Sequence, residues 1–365
     1  MKISEITNYL ESLVPLSFQE SYDNAGLLVG DRNVEATGAL ICIDVTEEVV
    51  DEAIQLGYNL IISHHPLVFS GLKKFTGTNA VQRTLLKAIK NEVAIYSAHT
   101  NLDKVAGYGV NFKIAQKLGL KQVEVLAPEG NLYSKITVNV PLLHEQDVAH
   151  AMFNAGAGQL GNYSCNAFYA EGLETFKPCS KANPFIGQID ETSRVESAKI
   201  EVLVLNQDVD RVIDAMKKAH PYEEPAYYVL PLNNRWNHVG CGAVGNLPEP
   251  QDAELFLKKV KEVFGCGVIR HTQLPNKTIS RVALCGGSGS EFLHNAIASG
   301  ADIYITADVK YHQFFDVPYP FVLADIGHYE SEQFTKEIFS EILTEKFNTF
   351  AHQLTKVNTN PIKYL

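Results

Sequence analysis

Residues 60–71 read LIISHHPLVFSG: three aliphatic residues run straight into two adjacent histidines, and a proline follows the second. An unbroken run such as Leu60-Ile61-Ile62, with no polar alternation, marks a strand covered on both faces, as in a parallel sheet between helices. Open α/β sheets bind ligands at the carboxyl ends of their strands, so His64 and His65 stand where such a sheet does its chemistry. Pro66 holds His65 to extended backbone. Adjacent side chains on extended backbone point to opposite sides, so the two rings are expected to diverge and to serve two ions rather than share one. A pair of hydrogen-bonded loop histidines would look the same, and further ligands are needed to choose.

Working outward, the flanking segments alternate strand and helix. A strand is expected over 39–44; Thr46 then caps a helix with Glu47 and Glu48 in its first turn and Gly57 at its end. A helix near 81–90 and a strand over 93–98 follow, and Ser4 caps an N-terminal helix with Ile6, Leu10, Leu13 and Val14 on one stripe. After Pro128 the texture changes to strand 135–140, helix 145–155, strands 163–176 and 194–205, helix 208–219 and strand 226–231. That order is ferredoxin-like. After Asn233 the first pattern returns, with strands at 282–285, 303–306 and 321–324 and one long helix from about Glu330. The expected fold is therefore α/β: a mostly parallel sheet flanked by helices, interrupted by an inserted ferredoxin-like α+β domain. The divisions fall at 1–129, 130–235 and 236–365.

The bulk properties narrow the class. At 365 residues, 45% hydrophobic and 20% charged, the chain reads as a globular protein of more than one domain. No apolar stretch approaches the ~20 residues that span a bilayer, and Glu5 and Glu11 argue against a signal peptide at the N-terminus. Six scattered cysteines without C-x-x-C spacing point to a reducing cytoplasm, and a net charge of −11 argues against non-specific nucleic-acid binding.

Further ligands do appear. SAHTNLD, residues 97–103, places His99 and Asp103 after the strand that ends at Ser97. DIGHYESEQF, residues 325–334, places His328 and Glu332 four apart at a helix start, hence on one face. Singly, each reads as a cap or a solvated helix end. Together His64, His65, Asp103, His328 and Glu332 lie after strands on one rim of one sheet. Three imidazoles and two carboxylates suit zinc first, with iron, manganese or nickel as alternatives, and are too nitrogen-rich for calcium. A bridging carboxylate lets such a set hold two divalent ions per chain, roughly 3.5–4 Å apart.

The motifs SHHP, HTNLD, CGGSGSE, TADVKYH and GHYESE, in that order, resemble the NGG-interacting-factor-three-like family, whose bacterial members go by the name GTP cyclohydrolase 1 type 2 homologue. The resemblance runs from SYDNAGLLVG to the C-terminal helix and implies that the same five residues hold a dinuclear metal centre. Ala307 departs from the threonine-glycine expected before the acid of TADVKYH. HPYEEPAYYVLPL, residues 220–232, is similar to the trimeric cation-tolerance proteins, which implies a homo-oligomer, a hexamer in which the inserts associate as trimers.

Other residues near the rim invite roles. Gly287, Ser288 and Gly289 lie between a strand and a helix, where backbone N–H groups can cradle an anion; a plain tight turn fits equally. Asp308, Lys310 and His312, with His99, are candidates for supporting ligands or carrying protons. His99 and His312 are the candidate catalytic residues, and Lys310 with the glycine loop is the candidate receiver of a nucleotide's phosphates. The implied activity is metal-dependent hydrolysis, by family name the attack on the guanine imidazole ring of GTP with release of formate. The alternative is a metal- or ligand-sensing regulatory protein without turnover.

Overall fold

Leu60–Ser63 is a strand, and all four of its residues are buried. The computed structural model describes residues 1–161 and 163–365. In chain order its strands are β1 (Gly26–Val29), β2 (Ala39–Cys42), β3 (Leu60–Ser63), β4 (Ala94–Ser97), β5 (Lys121–Glu129), β6 (Tyr133–Pro141), β7 (Ala167–Phe176), β8 (Ser193–Leu205), β9 (Tyr227–Pro231), β10 (Trp236–Asp252), β11 (Arg270–His271), β12 (Thr278–Leu284), β13 (Ile303–Thr306), β14 (Val322–Asp325) and β15 (His352–Leu354). The chain divides into two units, Met1–Pro128 with Asn237–Leu365, and Glu129–Trp236.

The larger unit is α/β, but it holds two sheets where one was expected. The first has the order β1-β4-β3-β2-β15 and the second β11-β14-β13-β12-β10-β5. In the first, β15, β2, β3 and β4 run parallel and β1 is antiparallel; in the second, β12, β13 and β14 run parallel. One hydrophobic cluster joins the inner faces of both, with Ile41, Ile62 and Tyr96 from the first sheet and Val282, Ile303 and Val322 from the second. Helices Val110–Leu118, Ala253–Phe264 and Thr335–Lys346 contribute Ile114, Phe256 and Phe339 to it. Helices Glu47–Leu56 and Ala80–Lys90 cover the other face of the first sheet, and Leu293–Ala298 that of the second. Both sheets are thus buried on both faces, which explains their unbroken aliphatic strands.

Local signals act largely as their chemistry requires. Thr46 accepts the Val49 N–H, and Gly57 closes that helix at φ 70°. The first helix begins at Ile3, with Glu5 accepting the Lys2 N–H, so Ser4 lies inside the first turn and does not cap it. The single long C-terminal helix is instead two, His328–Glu332 and Thr335–Lys346, followed by β15. Gln333 sits at the break, and its Nε2 donates to the carbonyls of Glu330 and Phe264, supplying the partner that a helix end otherwise lacks.

The smaller unit is a four-stranded antiparallel sheet of order β7-β8-β6-β9, with helices Glu145–Asn154 and Val209–Ala219 on one face. This is a ferredoxin-like topology. Ile136, Val138, Ile200 and Val202 meet Val148, Met152, Val212 and Met216 in its core. Its second strand starts at Ala167, later than the expected 163. Among the described residues, no helix is long and apolar enough to cross a membrane.

Candidate metal centre

Residues that follow the carboxyl ends of β3, β4 and β14 line one cavity of about 590 Å³, namely His65, His99, Asp103, His328 and Glu332, while His64 is fully buried and off its wall. His64 and His65 follow β3, His99 and Asp103 follow β4, and His328 and Glu332 follow β14. The five residues singled out as ligands therefore come together, but from two sheets and not from one rim.

Each imidazole is held by one nitrogen, which leaves the other for ligation. His64 Nδ1 bonds to the Ala98 carbonyl at 2.9 Å, His65 Nδ1 to Asp44 Oδ1 at 2.7 Å, His328 Nδ1 to Asp308 Oδ2 at 2.6 Å, and His99 Nδ1 to Asp23 Oδ1 at 2.8 Å. Such second partners fix tautomer and ring direction around a metal. Nε2 of both His65 and His328 lies 3.0 Å from Glu332 Oε2, and His64 Nε2 lies 3.7 Å from the same oxygen and from Asp103 Oδ1. Donor atoms within 4.8 Å of one another form three groups that could hold a metal ion: His65, His328 and Glu332; His64, Asp103 and Glu332; and His64, His65 and His99.

The rings of His64 and His65 do not diverge. Their centroids are 5.0 Å apart and both face Glu332. The strand ends at Ser63, so the pleat that would send neighbours to opposite sides has stopped before the histidines.

Two observations test whether a cation fits. His64 is fully buried, and its Nε2 has no hydrogen-bond partner among the described residues. An unsatisfied buried polar atom costs about 1–3 kcal/mol, and a metal ion would satisfy this one. The carboxylates give the second. Burial, then the neighbouring Glu332, pushes the Asp103 carboxyl well above its usual range. Burial also disfavours charge on Glu332, but the facing imidazoles of His64, His328 and His65 outweigh it and hold that carboxyl well below its usual range. Burial lowers His64, whereas His65 rises to about 9 and His328 to about 11, because their paired carboxylates outweigh burial. Without a metal, protons supply the positive charge here. The donor set fits a divalent ion of the zinc, iron, manganese or nickel kind.

The remaining candidates separate. Gly286 N–H donates to Asn111 Oδ1 at 2.8 Å, Gly287 N–H to Ser331 Oγ at 2.9 Å and Gly289 N–H to Thr306 Oγ1 at 3.0 Å. With these three N–H groups spent on side chains, the Gly287-Ser288-Gly289 turn keeps at most the N–H of Ser288, a residue of the cavity wall, for an anion. Its glycine serves the ligands instead: a Cβ at Gly287, where φ is +61°, would stand 2.2 Å from Glu332 Oε1. Lys310 and His312 are exposed and do not line the cavity, because the turn Tyr311–Asp316 carries them outward. His99 does line it, and Phe69 stands edge-on to its ring at 5.5 Å. Asp23 and Asp44 escaped the sequence reading, although Asp44 follows β2 just as His64 follows β3.

Fold and site together define an α/β protein with a histidine and carboxylate cluster that could bind a metal. Residues 1–361 match the family Duf34/NIF3 (NGG1p interacting factor 3), and the chain belongs to it. A relative from Halalkalibacterium halodurans named GTP cyclohydrolase 1 type 2 homolog is 39% identical over 378 residues, covering 100% of both chains. One of the same name from Staphylococcus aureus is 36% identical over 370 residues, again covering 100% of both. The crystal structure of a Bacillus cereus protein related to NIF3 matches with a TM-score of 0.78 at 37% identity, over 100% of this chain and 99% of that one. Staphylococcus aureus protein SA1388 gives 0.80 at 32%, with the same coverage.

Proposed function

We propose that the protein is a metal-dependent hydrolase with two divalent ions per chain, zinc first among them. His65, His328 and Glu332 would hold one ion, and His64, Asp103 and Glu332 the other, with Glu332 shared. The observation that carries this reading is the buried Nε2 of His64, without a hydrogen-bond partner among the described residues and aimed at the carboxylate that the other two rings also face. When bound, such an ion pair supplies Lewis acidity and a nucleophile drawn from water near neutral pH. The chain's own contribution is orientation and proton handling. Asp23 fixes the Nδ1–H of His99, so Nε2 is the atom that takes a proton and returns it to a leaving group.

The name of the relatives makes GTP the first substrate to try. The wall supports a more compact one. The only Lys or Arg among its described residues is Lys104, which is paired with Glu20 at 2.6 Å, while Glu20, Asp44 and Glu291 add negative charge. Exposed Tyr22 and Phe69 offer faces for a planar group. A triphosphate would find no basic receiver there, and Lys310 does not reach the cavity. The test is turnover of GTP, other nucleotides and simple phosphoesters by metal-loaded protein against a chelator-stripped control; no difference with any of them rejects the hydrolase.

We also place the protein in the cytoplasm, as a homohexamer assembled through inserted ferredoxin-like domains. Supporting this, the sheet face opposite the two helices carries exposed Phe168, Tyr228 and Leu230. A monomeric mass in light scattering would reject the assembly. A second reading, ligand sensing without turnover, draws on a cavity of about 290 Å³ within the same unit, beside which the Tyr222 hydroxyl is buried with no partner among the described residues.

A further inference from the structure

The end of the chain returns to the ligand set from behind. β15 adds to β2 in parallel, and the Thr355 N–H continues the ladder to the Ile41 carbonyl at 2.9 Å. Lys356 N–H donates to Glu52 Oε1 at 3.0 Å, and Val357 packs against the cluster under the first sheet. These anchors deliver two consecutive side chains to two halves of the site. Thr359 Oγ1 donates to Asp44 Oδ2 at 2.7 Å, and the other oxygen of that carboxylate holds His65 Nδ1 at 2.7 Å. Asn360 Nδ2 donates to Glu330 Oε1 at 3.1 Å, and Glu330 belongs to the short helix that carries His328 and Glu332. The segment is stiffened locally, since Asn358 Oδ1 accepts the Asn360 N–H and Asn360 Oδ1 the Ile362 N–H, each at 3.0 Å.

His65 comes from the first sheet and His328 with Glu332 from the second, so neighbouring strands do not set their separation. Residues 359 and 360 touch the support of one and the helix of the other. We propose that Thr359 and Asn360 are positioning residues for the metal centre: they clamp the Asp44–His65 pair to the helix of His328 and Glu332 and thereby set the ion held between them. The proposal rests on the metal-holding part of the function proposed above and is independent of turnover.

The test is a chelator titration of the full-length, zinc-loaded protein, with Thr359→Val, Thr359→Ser and Asn360→Ala alongside the wild type. Thr359→Val keeps the shape and removes the hydroxyl. It should release one of the two ions roughly 3- to 10-fold more readily, less than the 10- to 100-fold usual for losing a direct partner of a metal ligand, because Asp44 still holds His65. Thr359→Ser should restore the wild-type value, and the melting temperature of the metal-free Thr359→Val protein should fall by no more than one lost hydrogen bond explains. In cobalt-loaded protein the visible absorption should change in Thr359→Val and return in Thr359→Ser. Wild-type retention of both ions by Thr359→Val overturns the clamp. If that variant fails to fold without metal, Asn360→Ala decides, and wild-type affinity there overturns it equally. Wild-type protein that holds no divalent ion overturns both the clamp and the metal reading, whereas metal without turnover overturns only the hydrolase.

Discussion

His64 Nε2 stands 3.7 Å from Glu332 Oε2, too far for a hydrogen bond and with room between them for a shared cation. The ring cannot turn to find another partner, because the Ala98 carbonyl holds its Nδ1. His64→Leu fills similar space and removes the unsatisfied nitrogen. The gain from losing that nitrogen is offset by the Ala98 carbonyl left without its donor, so the metal-free variant should melt close to metal-free wild type, while its metal content falls from about two ions per chain to about one. Elemental analysis beside thermal unfolding in chelator checks both halves.

Metal uptake should release protons. At pH 7 the metal-free protein holds a proton on His65, whose value is about 9, and on His328, at about 11, whereas burial keeps His64 neutral. Ligation needs all three neutral and the raised Asp103 carboxyl ionised, so loading both ions should release about two protons from the imidazoles and a further contribution from Asp103, seen by calorimetry in buffers of different ionisation enthalpy. The same raised values make a stability prediction. The two imidazolium–carboxylate pairs contribute fully below the ordinary value of 6.5 and lose that contribution as pH rises through 9 and then 11. The melting temperature of chelated protein should thus fall between pH 7 and 10 more steeply than that of metal-loaded protein.

Gly287→Ala probes the close approach behind Glu332. The new Cβ would sit 2.2 Å from Glu332 Oε1 on backbone at φ +61°, so the carboxylate must shift. A loss of about 1–3 kcal/mol in stability is expected in denaturant titration, together with reduced metal content. Gly300→Ala has the same sign of φ, at +74°, but open space around its Cβ, and should cost only the backbone term and spare the metal.

Much of this site was legible in the sequence because one rule, that ligands follow parallel strands, applies to His64, Asp103 and His328 alike. The rule does not say which sheet a strand joins. Leu60–Ser63 and Ile303–Thr306 are both apolar runs buried at every position, so two sheets read as one. Nor does sequence show what an isolated carboxylate faces: Asp23 reaches His99 across 76 positions and Asp44 reaches His65 across 21. Ring direction was misjudged because β3 stops one residue before His64. Lys310 and His312 failed for a similar reason, since closeness along the chain to Asp308 does not survive the outward turn that follows it.

The histidines outside the five-ligand set should behave differently from each other. His99→Ala should keep its metal and lower turnover by roughly 10²–10⁴-fold, the usual worth of a positioned proton carrier. His312→Ala, exposed and away from the cavity wall, should leave both unchanged. Loss of metal in His99→Ala would make that residue a ligand, as its grouping with His64 and His65 permits.

The most direct test of the dinuclear centre is elemental analysis of purified full-length protein and of the double variant Asp103→Ala, Glu332→Ala. A dinuclear centre predicts about two divalent ions per chain in the wild type, because five ligands with Glu332 shared suit a binuclear site, and a nearly metal-free double variant. An undiminished metal content in the double variant, or a wild type that holds no divalent ion after reloading, would contradict it.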